Sequence, residues 1–138
     1  HLYETIACVE WEKEPCKTLA NRLKKKWNYE NAYETVFHFD IQRTDELING
    51  WSNDPIYGTS QGLKPIIKKH KGIDVVIGGP PCQAYSIAGR AQDNNSMKDD
   101  YRNYLFESFV KVVDAFLPSV FVFENVPGIL SAKNSFNS

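Results

Sequence analysis

Cys82 is the residue in this sequence whose neighbours are best suited to chemistry. It follows Gly78-Gly79-Pro80-Pro81, directly after an apolar run that ends at Ile77. A thiol has a pKa of about 8.5, so only a few per cent is thiolate at neutral pH, yet the thiolate is a strong nucleophile. Because prolines fix the backbone and glycines let a ligand approach it closely, this stretch would hold one sulfur at a fixed point beside a bound molecule.

Three acidic residues lie at comparable positions, each directly after an apolar run of strand type. They are Glu10, Asp40 and Glu124. In open α/β sheets the ligand lies outside the carboxyl ends of the strands. A parallel sheet would therefore bring these three carboxylates and Cys82 to one edge, where they predict a functional site.

Glu10 and Asp40 indicate a nucleoside as one ligand of that site. An acid at the end of the second strand of such folds accepts hydrogen bonds from ribose hydroxyls, and Trp11 could stack on an adenine ring. The alternative is that Trp11 packs in the core and Glu10 is solvated. The glycine-rich turn that usually follows the first strand is missing, so the chain either departs from this pattern or begins after that turn.

Strands and helices alternate along the chain. The apolar patterns predict strands at residues 3–9, 35–39, 74–77 and 120–123. They predict helices at residues 14–27, 63–71 and 101–117. Such alternation predicts an α/β fold with a mostly parallel sheet and helices on both faces. The stretch NGWSNDPIYGTSQG is interpreted as an insertion or a long loop.

Two of the predicted helices have an apolar face at helical spacing. In residues 14–27 the face consists of Cys16, Leu19, Ala20, Leu23 and Trp27. In residues 101–117 it consists of Leu105, Phe109, Val112, Val113 and Phe116. Asp99 or Asp100 can cap the second of these helices, and Pro118 stops it.

The composition is that of one globular domain. The chain has 138 residues, of which 42% are hydrophobic and 13% aromatic, and a net charge of -1. The chain has no strong basic field of the kind that would indicate binding to a nucleic acid. The basic groups KKK at residues 24–26 and KKHK at residues 68–71 are interpreted as solvated faces. No apolar run approaches the roughly 18 residues that span a bilayer, so no membrane partner is expected.

The cysteines indicate a reducing compartment and no metal. There are three, at positions 8, 16 and 82, without a CxxC spacing. An odd, unpaired set argues against a disulfide framework and against zinc. Cys8 and Cys16 lack the neighbours of Cys82 and are interpreted as inert, buried residues. We expect the cytoplasm of a bacterium, near the nucleoid, or the nucleus if the source is a eukaryote.

Two stretches resemble the catalytic motifs of the C5-cytosine DNA methyltransferase family. Residues 79–83, GPPCQ, followed by Tyr85-Ser86 and Gly89-Arg90, are similar to the catalytic loop of that family. Residues 124–128, ENVPG, are similar to its second catalytic motif. Both follow strands of the expected type and stand in the expected order, so the resemblance is specific.

The resemblance extends over most of the chain. Glu10-Trp11 resembles the cofactor acid and stacking residue of the family, and Asp40-Ile41 resembles its adenine-contacting pair. Residues 100–105, DYRNYL, resemble the segment that opens its next helix. Residues 41–72 form an unusually long stretch, and Phe39 stands where a glycine often precedes the acid.

The family's glycine-rich cofactor loop, its catalytic arginine motif, its target-recognition domain and its C-terminal helix have no counterpart in the sequence. Residues 1–138 are therefore expected to be part of a Rossmann-like methyltransferase domain that depends on S-adenosylmethionine. That part is expected to be inactive without the remainder of the methyltransferase chain.

The resemblance implies methyl transfer from S-adenosylmethionine to C5 of a cytosine that is flipped out of double-stranded DNA. Cys82 would attack C6 of the base, while Glu124 would contact N3 and the exocyclic amine. The implied cofactor contacts are Glu10, Trp11, Asp40, Ile41, Gly79, Pro81 and Leu105. The implied DNA contacts are Gln83, Ser86, Arg90 and Asn125. The resemblance thus implies a role in DNA methylation and in restriction-modification.

Three alternatives remain open. A C5-cytosine tRNA methyltransferase shares the cysteine loop, although QAYSIAGR is more similar to the DNA enzymes. A non-catalytic partner or binding module derived from the family would explain the missing motifs but not an intact Cys82 and Glu124. A thiol hydrolase would need a histidine base, and His1, His38 and His70 lie in no recognisable motif with Cys82.

Overall fold

The computed structural model describes residues 2–79 and 104–125. The chain forms two compact units, one from His1 to Ile73 and one from Asp74 to Ser138. The described part of the first contains a two-stranded parallel sheet and an antiparallel hairpin, and that of the second contains another two-stranded parallel sheet. Helices and short strands alternate in both, as the sequence predicts for an α/β protein.

The first unit begins with a β-α-β segment. Its elements are strand β1 (Cys8–Glu10), helix α1 (Lys13–Trp27), helix α2 (Ala32–Thr35) and strand β2 (Val36–His38). The two strands pair in parallel, with Glu10 opposite His38. The strand predicted at residues 3–9 is confirmed only near its end, and α2 was not predicted.

Helix α1 packs through one face of its predicted apolar stripe. Cys16, Ala20 and Leu23 are buried. Trp27, which the helical spacing puts on the same face, is 43% exposed. It lies in the last turn, where Asn28 takes a left-handed conformation (φ 55°) and ends the helix, and its ring lies 5.3 Å from Lys26 Nζ.

The stretch predicted as an insertion or loop is a folded hairpin. Helix α3 (Thr44–Asn49) is followed by strands β3 (Trp51–Asp54) and β4 (Gly58–Ser60), which pair antiparallel, and by helix α4 (Leu63–Lys69). The loop interpretation is wrong because Asp54 closes the turn itself: its Oδ1 accepts the backbone N–H groups of Ile56 and Tyr57, each at 2.9 Å.

The second unit contains strand β5 (Val75–Gly78), helix α5 (Tyr104–Phe116) and strand β6 (Val120–Phe123). The strands pair in parallel along their whole length, from Val75 opposite Val120 to Gly78 opposite Phe123. Phe109 is 6% exposed and its ring centroid lies 5.1 Å from that of Phe123. The helix therefore covers the sheet face that carries this phenylalanine.

The opposite face of this sheet is apolar and exposed. Because side chains alternate along a strand, Ile77, Val120 and Val122 lie on the face away from Phe123, and Ile77 is 75% exposed. Among the described residues of this unit, α5 is the one helix on the sheet. The prediction of helices on both faces is thus supported for one face and stays a prediction for the other.

The contact between β5 and α5 generates a prediction about two adjacent glycines. A Cβ at Gly78 would overlap the Phe109 ring, whereas the nearest atom to a Cβ at Gly79 would be Glu124 Oε2, at 3.5 Å. We expect Gly78→Ala to lower the free energy of unfolding by about 1–3 kcal/mol because the buried ring must move. Gly79→Ala is the matched control and should change it little. Urea denaturation of both variants measures this, and equal midpoints would contradict the packing described.

Candidate active site

Glu10 and Asp40 lie at the same edge of the first sheet. Glu10 ends β1 opposite His38, and Asp40 follows β2 two residues later. The Phe39 N–H donates to the Glu10 carbonyl oxygen at 3.1 Å. This bond continues the strand pairing by one step and joins Glu10 to the residue directly before Asp40. The predicted convergence is therefore confirmed for these two acids, while the common edge predicted for them with Cys82 and Glu124 stays a prediction.

Both carboxylates are oriented by the backbone that follows them. The Glu12 N–H donates to Glu10 Oε1 at 3.0 Å, and the Gln42 N–H donates to Asp40 Oδ1 at 2.9 Å. Across residues 2–79 and 104–125, the second oxygen of each carboxylate has no hydrogen-bond donor. Two half-buried carboxylates with one oxygen left to accept are suited to hydroxyl groups such as those of a ribose.

Trp11 lies beside Glu10 on the surface. It is 53% exposed, which rules out the alternative that it packs in the core. An exposed indole next to an oriented carboxylate offers a planar apolar surface to a ring-shaped ligand.

Ile41 and Asp40 belong to a turn that leads directly into α3. The Arg43 N–H donates to the Asp40 carbonyl oxygen at 3.1 Å, and the Thr44 hydroxyl donates to the Ile41 carbonyl oxygen at 2.7 Å. Thr44 is buried and Ile41 is half-buried. The turn is thus held by its own backbone and by the first residue of the helix.

An aromatic cluster that sequence reasoning missed lies directly behind this turn. Phe39 is fully buried and stacks on Trp51 of the hairpin with ring centroids 3.8 Å apart. Tyr57 contacts the Phe39 ring edge-on at 5.0 Å, and the Arg43 guanidinium lies 4.8 Å from its centroid. Two features of the sequence could have indicated this cluster. They are Phe39, which stands where the family resemblance leads one to expect a glycine, and the aromatic residues Trp51 and Tyr57 in the long stretch that follows.

Arg43 connects the aromatic cluster to two carboxylates. Its Nη1 lies 2.6 Å from Asp54 Oδ2, and its Nη2 and Nε lie 2.6 and 2.9 Å from the two oxygens of Glu46. The Asp54 side chain is only 10% exposed, compared with 47% for Glu46. The pair with Asp54 is therefore the better shielded of the two.

Gly79 and Glu124 meet at the carboxyl end of the second sheet. The Glu124 N–H donates to the Gly78 carbonyl oxygen at 3.0 Å, directly after β6. The Glu124 side chain is exposed and its Oε2 lies close to Gly79, while Asn125 beside it is half-buried. Leu105 lies in the first turn of α5 and is half-buried. The other predicted site residues, Pro81, Cys82, Gln83, Ser86 and Arg90, lie outside the described residues.

Of the two other cysteines, Cys16 is buried as predicted, whereas Cys8 is only half-buried. Burial raises the pKa of the Cys8 thiol. Burial, together with the charge of Glu10, also raises the pKa of Cys16, whose Sγ donates to the Glu10 carbonyl oxygen at 3.5 Å. Both thiols therefore stay protonated at neutral pH.

Neither a metal-binding cluster nor a membrane span occurs in the part of the chain that the structure describes. No three or more His, Cys, Asp or Glu side chains there are grouped so that they could hold an ion. No helix there is long and apolar enough to cross a bilayer.

Residues 2–138 match the family model described as C-5 cytosine-specific DNA methylase. The chain belongs to this family.

Two bacterial relatives from Bacillus are both type II methyltransferases. M.Bpa9945I of Bacillus paralicheniformis is 47% identical over 87 residues, which cover 59% of this chain and 20% of the relative. M1.BsuMI of Bacillus subtilis is 34% identical over 107 residues, which cover 75% of this chain and 23% of the relative. A third type II methyltransferase, M1.HphI of Haemophilus parahaemolyticus, is 53% identical over 57 residues, or 41% of this chain and 15% of the relative. The matched part thus amounts to about a fifth of these relatives.

The Arg43–Asp54 pair predicts a pH dependence of stability. Aspartate in an unfolded chain titrates near pH 3.9; the hydrogen bond from Arg43, with those from the Tyr57 and Ile56 amides, lowers the pKa of Asp54 to about 2. The pair therefore stabilises the fold above about pH 4 and loses this effect as the pH falls toward 2. We expect Asp54→Asn to lower the urea midpoint at pH 7, by an amount that shrinks below about pH 4.

Glu46→Gln is the matched control for that experiment, since Glu46 binds the same guanidinium at a more exposed position. Solvent screening should make its effect at pH 7 smaller than that of Asp54→Asn. A difference between wild type and Asp54→Asn that stays constant from pH 7 to pH 3 would contradict the ion pair as the cause.

Proposed function

We propose that the polypeptide containing this chain transfers a methyl group from S-adenosylmethionine to C5 of a cytosine in double-stranded DNA. The observation that carries the proposal is the position of Gly79 and Glu124. They come from two separate sequence motifs and meet at the ends of paired parallel strands. By similarity to its type II relatives, we assign the protein to DNA modification in bacteria, in the cytoplasm beside the nucleoid.

The first sheet supplies the nucleoside end of the proposed cofactor site. Glu10 and Asp40 each have one carboxylate oxygen held by a backbone N–H, so the other is oriented to accept a ribose hydroxyl. Trp11 offers an exposed ring for adenine, and Ile41 follows Asp40 in the anchored turn. Gly79, Pro81 and Leu105 are the contacts that we assign to the rest of the cofactor. The cofactor supplies an electrophilic methyl group.

Cys82 and Glu124 divide the work on the cytosine ring. The Cys82 thiolate adds to C6, which turns the ring into an enamine whose C5 carbon is nucleophilic. Glu124 hydrogen-bonds N3 and the exocyclic amine, so that the ring can accept the electron pair. After C5 has been methylated, its proton leaves and the C6–S bond breaks, which restores the aromatic ring and the Cys82 thiolate.

The geometry at Glu124 supports this role. Its backbone is fixed by the bond to Gly78, while its side chain is exposed and available to a base. The target cytosine must leave the duplex stack, which costs a few kcal/mol. We assign Gln83, Ser86, Arg90 and Asn125 to contacts with the DNA.

The nucleophile assignment predicts the behaviour of one conservative variant. In the full-length polypeptide, Cys82→Ser should abolish methylation because a serine hydroxyl is not ionised at neutral pH. The affinity for S-adenosylmethionine should stay within a few fold of wild type. Transfer of labelled methyl groups to DNA and calorimetric titration measure the two quantities. Near-normal methylation by the variant would refute the assignment.

A covalent trap distinguishes the proposal from its alternatives. DNA that carries 5-fluorocytosine should remain bonded to Cys82. Fluorine replaces the C5 proton, whose loss is needed to break the C6–S bond and release the base. A tRNA methyltransferase would form the adduct with fluorinated RNA instead. A binding module or a thiol hydrolase would form no adduct with either nucleic acid.

The chain of 138 residues should be inactive by itself. It matches only about a fifth of its relatives, and we propose that the remainder completes both the cofactor pocket and the DNA-binding surface. We expect no methyl transfer and weak binding of S-adenosylmethionine. A dissociation constant in the micromolar range or tighter for the isolated chain would contradict this expectation.

A further inference from the structure

Two neighbouring parts of the sequence form one physical feature. They are Phe39, which directly precedes Asp40, and the stretch of residues 41–72 that follows. In the fold, that stretch supplies Trp51 and Tyr57, which enclose the fully buried Phe39 ring. A glycine at this position would remove the ring against which Trp51 and Tyr57 pack, and a phenylalanine without the hairpin would lose these two aromatic partners.

The hairpin that carries these aromatic residues is itself well fixed. The Trp51 indole N–H donates to the Tyr57 carbonyl oxygen at 3.1 Å, and the Asn53 N–H donates to the Thr59 hydroxyl at 3.0 Å. At its base Gly62 has a positive φ of 76°, and a Cβ there would lie 2.6 Å from the Gly50 nitrogen. Only glycine allows this approach, so the two ends of the hairpin are joined tightly.

Arg43 connects the hairpin to the Asp40–Ile41 turn. Its backbone N–H closes that turn by donating to the Asp40 carbonyl oxygen. Its side chain lies over Phe39 and pairs with Asp54 of the hairpin at 2.6 Å. A movement of the hairpin is therefore transmitted to the backbone that orients the Asp40 carboxylate.

We propose that Trp51, Arg43 and Asp54 are positioning residues, which set the affinity for the nucleoside part of S-adenosylmethionine by fixing the turn that carries Asp40 and Ile41. None of the three is assigned a contact with the cofactor; they act through Phe39 and through the turn. This inference rests on the proposed cofactor site, so its test includes a measurement that does not need the cofactor.

The test compares variants of the full-length polypeptide by two measurements. Hydrogen exchange monitored by mass spectrometry reports on the Gln42 and Arg43 amides, which both donate to Asp40. Calorimetry reports the affinity for S-adenosylmethionine and for adenosine. Trp51→Ala should accelerate exchange in residues 40–44 and lower the affinity for both ligands by about tenfold. The reason is that a small displacement of a group that orients a ligand carries a large cost in free energy. Equal loss for both ligands locates the effect at the nucleoside end.

Milder variants keep the test informative if Trp51→Ala fails to fold. Trp51→Phe retains a ring against Phe39 and should restore most of the affinity. Arg43→Lys should not, because an ammonium cannot bind Asp54 and Glu46 through a planar fork. Ile56→Ala, at the hairpin tip where the side chain is 70% exposed, should leave both measurements unchanged.

Leu23→Ala is the control for a merely structural effect. Leu23 is buried in the same unit, on α1 rather than in the hairpin, and its loss should lower stability without changing ligand affinity. Equal weakening by Leu23→Ala and Trp51→Ala, or wild-type affinity and exchange in Trp51→Ala, would overturn the positioning role. Failure of the wild-type polypeptide to bind S-adenosylmethionine would instead overturn the proposed function, and exchange at residues 40–44 would still decide whether the hairpin fixes the turn.

Discussion

Parallel pairing of strands is the constraint on which each group of candidate site residues depends. Two parallel strands cannot be joined by a tight turn, so a crossover must separate them in the sequence. Residues that follow such strands are therefore distant along the chain and adjacent in the fold. Glu10 and Asp40 meet in this way after β1 and β2, and Gly79 meets Glu124 after β5 and β6.

The strand ends also prepare side chains for ligands before any ligand arrives. A carboxylate with one oxygen tied to an N–H two residues later has lost much of its rotational freedom, so less remains to be lost on binding. Glu10 and Asp40 share this arrangement. Glu124 differs, because its backbone is held by Gly78 while its side chain remains exposed. The contrast agrees with the roles proposed above, cofactor contacts for Glu10 and Asp40 and an acid that meets an incoming base for Glu124.

The aromatic hairpin shows how a segment beside a candidate site is tied to it. The hairpin buries Trp51 against Phe39 and pairs Asp54 with Arg43, so it extends the core instead of forming a loose surface loop. Its attachment point is the residue before Asp40. The hairpin is therefore coupled to the acid proposed to bind ribose.

The sequence by itself determined the α/β alternation, the places where strands end and the four residues that follow them. These features depend on local apolar patterns and on residue type, and the family match agrees with them. Only the tertiary structure decided that NGWSNDPIYGTSQG is a hairpin, that Trp27 is exposed at a helix end and that Trp11 lies on the surface. The hairpin has no apolar alternation of its own. Asp54 closes its turn from within, but it is anchored by Phe39 and Arg43, residues outside the stretch. Contacts between segments distant in sequence leave no periodic trace in either one.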